Sequence, residues 1–224
     1  MTTTFITGAN KSLGLETARR LVEAGHTVVV GARDPERGRA AAASLGARLV
    51  RIDVTDDASV EAAAADVAAH EGAIDVLINN AGVLGRVGPV EEYTAADMSA
   101  VLDVNVVGVV RVTHAFLPLL RKSSHPVIVN VSSGMGSFGL TQDPDRVESQ
   151  YSLPLYAASK AAVTMLTTQY ARELEDVKVN AADPGQTATD FTGGIGRGVA
   201  EGAESIVALA TIGPNGPTGQ FIDR

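Results

Sequence analysis

Short runs of β-branched residues, apolar at successive positions, alternate along this chain with longer alanine-rich segments whose apolar positions recur at helical spacing. The runs "TFIT", "TVVVGA", "ARLVRID", "DVLIN", "VIVNVS" and "VKVNAAD" predict strands, and residues 13–25, 35–45, 57–71, 95–121, 156–175 and 198–211 predict helices. Strands that are apolar throughout are buried on both faces, so the pattern predicts a parallel sheet covered by helices on each side. That is a doubly wound, Rossmann-like α/β fold. No linker, repeat or low-complexity tract divides the chain, and 1–224 reads as a single domain. In such a sheet a ligand sits beyond the carboxyl ends of the strands, where strand order reverses. Residues directly after each strand are therefore the candidates for chemistry.

"TGANKSLG", Thr7 to Gly14, leads from the first strand into the first helix, and its backbone N–H groups point where a pyrophosphate would lie. Gly8 and Gly14 permit a tight turn and close packing of helix on sheet, although a plain βα turn needs the same residues. The second strand ends on Ala32 and Arg33, where an NAD site usually carries an acid for the ribose 2′-hydroxyl. Lys11, Arg33 and Arg37 are expected to converge on that corner and to suit a 2′-phosphate. Asp34 stands one place later than that acid would, which keeps NAD as the alternative. Tyr156 and Lys160 in "YAASK" are four residues apart and share a helix face. An ammonium within reach favours phenolate, so this tyrosine is a candidate proton donor or acceptor. The strand ending "VNVSSG" projects Ser132 or Ser133 at the same sheet edge.

Composition narrows the partners. With 18 basic against 26 acidic residues, a net charge of −8, the chain is a poor match for nucleic acid or an anionic membrane, so an anionic ligand needs a few local cations. The absence of cysteine excludes disulfides, thiolate catalysis and thiolate-bound metals. His26, His70, His114 and His125 lack ligand spacing, so no metal is expected; His114 reads as half-buried structure and Asn79 as satisfying backbone at its strand end. "MTTTFITG" lacks a basic n-region, and no run suggests the roughly 20 apolar residues of a membrane span, so a cytoplasmic protein is expected.

Taken in order, these motifs resemble those of the short-chain dehydrogenase/reductase family over nearly the whole chain. "TGANKSLG" is similar to T-G-x-x-x-G-x-G with Ser12 at the middle glycine; "DVT" at 53–55, "NNAG" at 79–82, Asn105, "VNVSSG", "YAASK" and "PGQTATD" at 184–190 follow in the family's order. The resemblance implies hydride transfer between a nicotinamide cofactor and a carbonyl or alcohol, with a cofactor half at about 1–130 and a catalytic and substrate half at about 131–224. It assigns Asn105, Ser133, Tyr156 and Lys160 to catalysis. Tyr156 would protonate the carbonyl oxygen, Ser133 would bond the developing oxyanion, and Lys160 would hold the nicotinamide ribose while lowering the phenol's pKa. Asn105 would hold, through its helix backbone, a water that links Lys160 to solvent.

The cofactor contacts implied are Gly8, Asn10, Ser12, Leu13 and Gly14 in the turn at the phosphates, with Lys11, Arg33 and Arg37 at the 2′-phosphate. Asp53 and the backbone of Val54 would hold adenine, and Asn80, Ala81 and Gly82 would line its ribose. Tyr156, Lys160, Pro184, Gly185, Thr187 and Thr189 complete the set at the nicotinamide, where the two threonines would fix the carboxamide. The Lys11, Arg33 and Arg37 pattern resembles that of NADPH-dependent carbonyl reductases, so NADP(H) is expected in preference to NAD(H).

Leu84, Met135, Phe138, Leu153 and Phe191 are the candidate pocket residues, and their apolar character points to a hydrophobic ketone or aldehyde as the small-molecule substrate. Two other readings compete. A non-catalytic NADP-binding sensor could share the scaffold, against which the intact Asn105, Ser133, Tyr156 and Lys160 speak. A nucleotide-sugar epimerase would need a larger carboxyl-terminal domain than the roughly 35 residues after Thr189 supply. "GLTQDPDRVESQYSLP", before Tyr156, makes the Ser133 to Tyr156 interval long for the family. Family assemblies pair helices equivalent to 95–121 and 156–175, so an obstructing loop there leads to the expectation of a monomer rather than a homodimer or homotetramer.

Overall fold

The computed structural model describes residues 1–223. Its strands are β1 (Thr3–Thr7), β2 (Thr27–Ala32), β3 (Arg48–Arg51), β4 (Val76–Asn79), β5 (Val127–Val131), β6 (Lys178–Ala182) and β7 (Phe221–Ile222). They form one parallel sheet in the order β3-β2-β1-β4-β5-β6-β7. The helices are α1 (Ser12–Glu23), α2 (Pro35–Leu45), α3 (Asp57–His70), α4 (Ala95–Leu102), α5 (Gly108–Leu120), α6 (Phe138–Gln142), α7 (Pro154–Glu173), α8 (Val199–Gly202) and α9 (Glu204–Ala210).

Side-chain alternation along the strands divides the core in two. Phe5, Val29, Leu77, Ile128 and Val179 face α3 and α5, where Phe116 meets Phe5 with ring centroids 4.4 Å apart. Ile6, Val30, Ile78 and Val129 face α1 and α9. This is the doubly wound architecture that the apolar strands predict. The order reverses between β1 and β4, so the loops after these two strands part there and open a crevice.

Several boundaries differ from the sequence reading. The expected helix 95–121 is α4 and α5 joined by a π-helical turn, Asp103–Val107, a local irregularity that hydrophobic period does not report. The stretch Ala95–Leu120 has the length and the mean hydropathy, 1.5, of a membrane span, contrary to the reading that no run does. Val101, Val109, Val112, Phe116 and Leu120 are buried, however, which is how a core helix acquires that composition. The expected helix 198–211 is the two short helices α8 and α9. His114 is exposed rather than half-buried. Asn79 bonds side chains, not backbone: its Nδ2 donates to Asn130 Oδ1 at 2.9 Å and Thr113 Oγ1 at 3.3 Å.

The long interval before Tyr156 is folded against the carboxyl end of the sheet. It carries α6, which the sequence reading did not anticipate, and Arg146 ties it to Asp223 at 3.1 Å. Tyr151 Oη accepts from Gln186 Nε2 at 3.0 Å. These anchors hold the segment at the pocket mouth, and Val110 of α5 and Met165 of α7 are exposed.

Candidate active site

The turn after β1 is built for close approach. Gly8 has φ +67°, and a Cβ there would stand 3.1 Å from Ala81 Cα, so the turn lies directly on the loop after β4. Asn80 Nδ2 fastens the two by donating to the carbonyls of Thr7, at 2.8 Å, and Gly8, at 3.1 Å. Ser12 is the one non-glycine residue with positive φ among those described, at +47°. An L-residue pays roughly 1–2 kcal/mol there, while a glycine loses roughly 0.4–1 kcal/mol through its freer unfolded chain. Ser12→Gly is therefore expected to raise stability by about 0.5 kcal/mol and the melting temperature by about 1–2 °C. A lower melting temperature in a calorimetric scan would show that the serine hydroxyl makes a contact worth more than the strain.

A cavity of about 740 Å³ runs along the crevice. Every residue expected to touch cofactor lines it, from Lys11, Arg33 and Asp53 at one end to Tyr156, Lys160 and Thr187 at the other. Asp53 Oδ1 accepts from both the N–H and the hydroxyl of Thr55, at 3.0 and 2.7 Å. Burial opposes its ionisation, but these bonds, with Arg33 and Arg51 nearby, hold the carboxyl below the usual carboxylate range.

The three cations do not converge as the sequence reading expects. Lys11 Nζ is turned to Asp190 Oδ2, 2.8 Å away, and Arg37 Nε lies 3.5 Å from Asp34 Oδ2. Asp190 lies 179 residues from Lys11, so no spacing rule could have exposed this competitor. Arg33 is the member of the trio without an ion pair among the described residues. Exposed pairs such as Lys11–Asp190 are worth about 0–1 kcal/mol, too little to keep Lys11 from a phosphate.

At the other end β5 delivers Ser133 and α7 delivers Tyr156 and Lys160 to one wall. Lys160 Nζ is buried, donates to the carbonyl of Val131 at 2.7 Å and stands 5.6 Å from the centroid of the Tyr156 ring. Burial lowers its pKa to about 8, against the charge of Asp183. The phenol behaves contrary to the sequence reading: burial raises its pKa, the Ser133 hydroxyl opposes that, and Asp183 adds to it. Lys160 spends its charge close to a carbonyl instead of on the phenol.

Asn105 sits in the π turn, away from the cavity lining, and is 1% exposed. Its Oδ1 accepts from Val83 N at 2.8 Å, and its Nδ2 donates to Val83 O at 2.9 Å and Ser159 Oγ at 3.0 Å. The side chain thus fixes the loop after β4 to α7. The hydroxyl of Thr187 donates to the carbonyl of Pro184 at 3.1 Å, and Thr189 caps the turn 190–192, so both shape their own loop.

Leu84, Met135, Leu153 and Phe191 line the cavity. Phe191 meets the Tyr156 ring edge-on, with centroids 5.4 Å apart. Phe138 does not belong to the pocket: it opens α6 at 82% exposure, because the short helix faces it to solvent. Val87, Tyr151, Gln186 and Ile195, none of them among the candidate pocket residues of the sequence reading, form the rim. The position of Gln186 directly after the P-G turn and that of Tyr151 in the long segment before Tyr156 are their signals in the sequence.

The nucleotide end has close-packed backbone, N–H groups at a helix start and the Arg33 guanidinium, which forms no ion pair among the described residues, and these fit a nicotinamide dinucleotide. The model of the short chain dehydrogenase family matches residues 2–200. A short-chain dehydrogenase of Penicillium roqueforti is 38% identical over 98% of this chain and 92% of its own. An NADPH-dependent pterin aldehyde reductase of Arabidopsis thaliana is 34% identical over 84% of this chain and 76% of its own. Among solved structures, salutaridine reductase from Papaver somniferum has a TM-score of 0.88 at 27% identity, with 100% of each chain covered.

Proposed function

This chain belongs to the short-chain dehydrogenase family, and on that footing we propose that it transfers a hydride between NADP(H) and a carbonyl or alcohol, acting to reduce a hydrophobic ketone or aldehyde. One observation carries the reading: one cavity joins Arg33 to the wall of Ser133, Tyr156 and Lys160. Its volume of about 740 Å³ suits a small-molecule site. The relative that reduces a pterin aldehyde with NADPH supports the cofactor and the carbonyl.

The nicotinamide, when bound, supplies the hydride. The protein's own work is proton supply and charge stabilisation. Tyr156 Oη gives its proton to the substrate oxygen, and burial keeps that proton in place at neutral pH until it is needed. Ser133 Oγ donates to the same oxygen as charge develops there. Lys160, with a pKa of about 8, is poised to exchange protons and to hold a ribose hydroxyl. Leu84, Met135, Leu153 and Phe191 exclude water from the reacting carbonyl.

The rim side chains Val87, Tyr151 and Ile195 are exposed at 57%, 48% and 62%, so a substrate that extends past the mouth gains apolar contact with them. Within a panel of carbonyl compounds supplied with NADPH, kcat/KM is expected to rise with the apolar bulk of the substrate, about fivefold for each methylene buried beyond the first contacts. Consumption of NADPH by none of the ketones and aldehydes, or a preference for small hydrophilic ones, sinks the reading.

A further inference from the structure

We propose that Asp183, buried at the carboxyl end of β6, is a positioning residue for this reaction: it ties the loop carrying Ser133 to the turn after β6, and it sets a negative charge beside the catalytic phenol and ammonium. The inference rests on the reading of Tyr156 as the proton donor.

Asp183 is 2% exposed. Its Oδ1 accepts from the N–H of Gly185 at 2.8 Å, and its carboxylate also takes the N–H of Gly134, the residue after Ser133. Its own main chain is held on both sides, with the N–H donating to Ile222 O at 2.8 Å and the carbonyl accepting from Ser205 Oγ at 2.9 Å. One carboxylate therefore fixes two loops that meet at the substrate. A Cβ on Gly134 would stand 2.9 Å from Asp183 Oδ2 and 2.5 Å from Glu148 Oε1, so both acids crowd the back of the Ser133 loop.

The charges around it are few. Glu148, 7% exposed, faces it from the inserted segment and is held by Arg146 at 3.2 Å, which also reaches Asp223 at 3.1 Å. Asp145 and Arg197 line the small cavity behind it, and Tyr156 and Lys160 share the main cavity in front. Burial raises the proton affinity of Asp183, and Glu148 and Asp223 add to this, while the two N–H bonds oppose it. The ionised carboxylate in turn raises the proton affinity of both Tyr156 and Lys160. Reduction consumes the phenol's proton, so its rate falls as pH rises through the phenol's pKa. Removing the Asp183 charge moves that fall to lower pH. The rise of alcohol oxidation moves with it, because the overall equilibrium fixes the ratio of the two directions at any one pH.

Asp183→Asn keeps an oxygen for the Gly185 N–H and removes the charge, whereas Asp183→Ala removes both. With NADPH and a carbonyl substrate, kcat against pH is expected to fall at lower pH in both variants. On the low-pH plateau the alanine variant should lose about tenfold, and the asparagine variant distinctly less, as the Ser133 loop loosens. Glu148→Gln, which deletes a charge already compensated by Arg146, should leave the pH of the fall in place. Melting curves accompany each variant, and the alanine variant carries the test if the asparagine one does not fold. A fall at the wild-type pH in every folded Asp183 variant overturns the proposal, and so does an equal displacement by Glu148→Gln. Should Tyr156→Phe remain active, the reading of the site fails and this proposal with it; if that variant is dead and the Asp183 profiles are unmoved, only the proposal fails.

Discussion

Replacing Tyr156 by phenylalanine is expected to lower turnover at least about 100-fold, the loss that follows removal of a general acid, while NADPH binding stays near the wild-type value. The substitution deletes one oxygen and leaves the ring in its edge-on contact with Phe191, 5.4 Å between centroids. Lys160 keeps its bond to Val131 O at 2.7 Å, so the ribose end of the cavity is undisturbed. Ser133 still offers a hydrogen bond to the substrate oxygen, which leaves residual catalysis above zero. Single-turnover rates, together with NADPH titrated by fluorescence, separate the two effects. Turnover within tenfold of wild type would remove Tyr156 from the mechanism. The raised phenol pKa also fixes a sign: reduction holds its plateau through neutral pH and declines only on the alkaline side, where the proton is lost.

The parts of the molecule that depend on local pattern were readable in the chain. The runs at 3–7, 27–32 and 127–131 place the central strands because burial on both faces selects β-branched and apolar residues at nearly every position, with only threonines and Asn130 interrupting them. The residues after those strands then line the cavity, since a doubly wound sheet puts every strand end at one edge. What local pattern does not carry depends on residues far apart in sequence. Lys11 finds Asp190, Arg146 finds Asp223 77 residues on, and Asn79 finds Asn130 across the sheet; none of these pairings has a spacing. The apolarity of Phe138 points to the pocket, yet a side chain on a five-residue surface helix has no obligation to face inward. The sign of the Tyr156 shift is illegible for a related reason: burial of the phenol sets it, and sequence spacing reports only the lysine four residues away.

The cofactor preference proposed for this protein turns on Arg33. Wild-type kcat/KM is expected to be higher with NADPH than with NADH, and Arg33→Ala should erode the ratio by about 5- to 30-fold, or about 1–2 kcal/mol. That is the lower part of the range for one charge-assisted contact, because the guanidinium is exposed and water screens it. The loss should fall on NADPH alone, since the two cofactors differ only at the 2′ position. Arg37→Ala should cost less, because Arg37 already lies 3.5 Å from Asp34 and must leave it to meet a phosphate. Lys11→Ala frees Asp190, an uncompensated carboxylate at the same mouth, so part of its penalty is new repulsion rather than a lost contact. Exposure also predicts that the NADPH preference shrinks as ionic strength rises, with the steepest change below about 0.15 M salt. Equal kcat/KM for the two cofactors in the wild-type protein, or an Arg33→Ala variant that loses NADH and NADPH activity alike, would show that Arg33 does not read the 2′-phosphate.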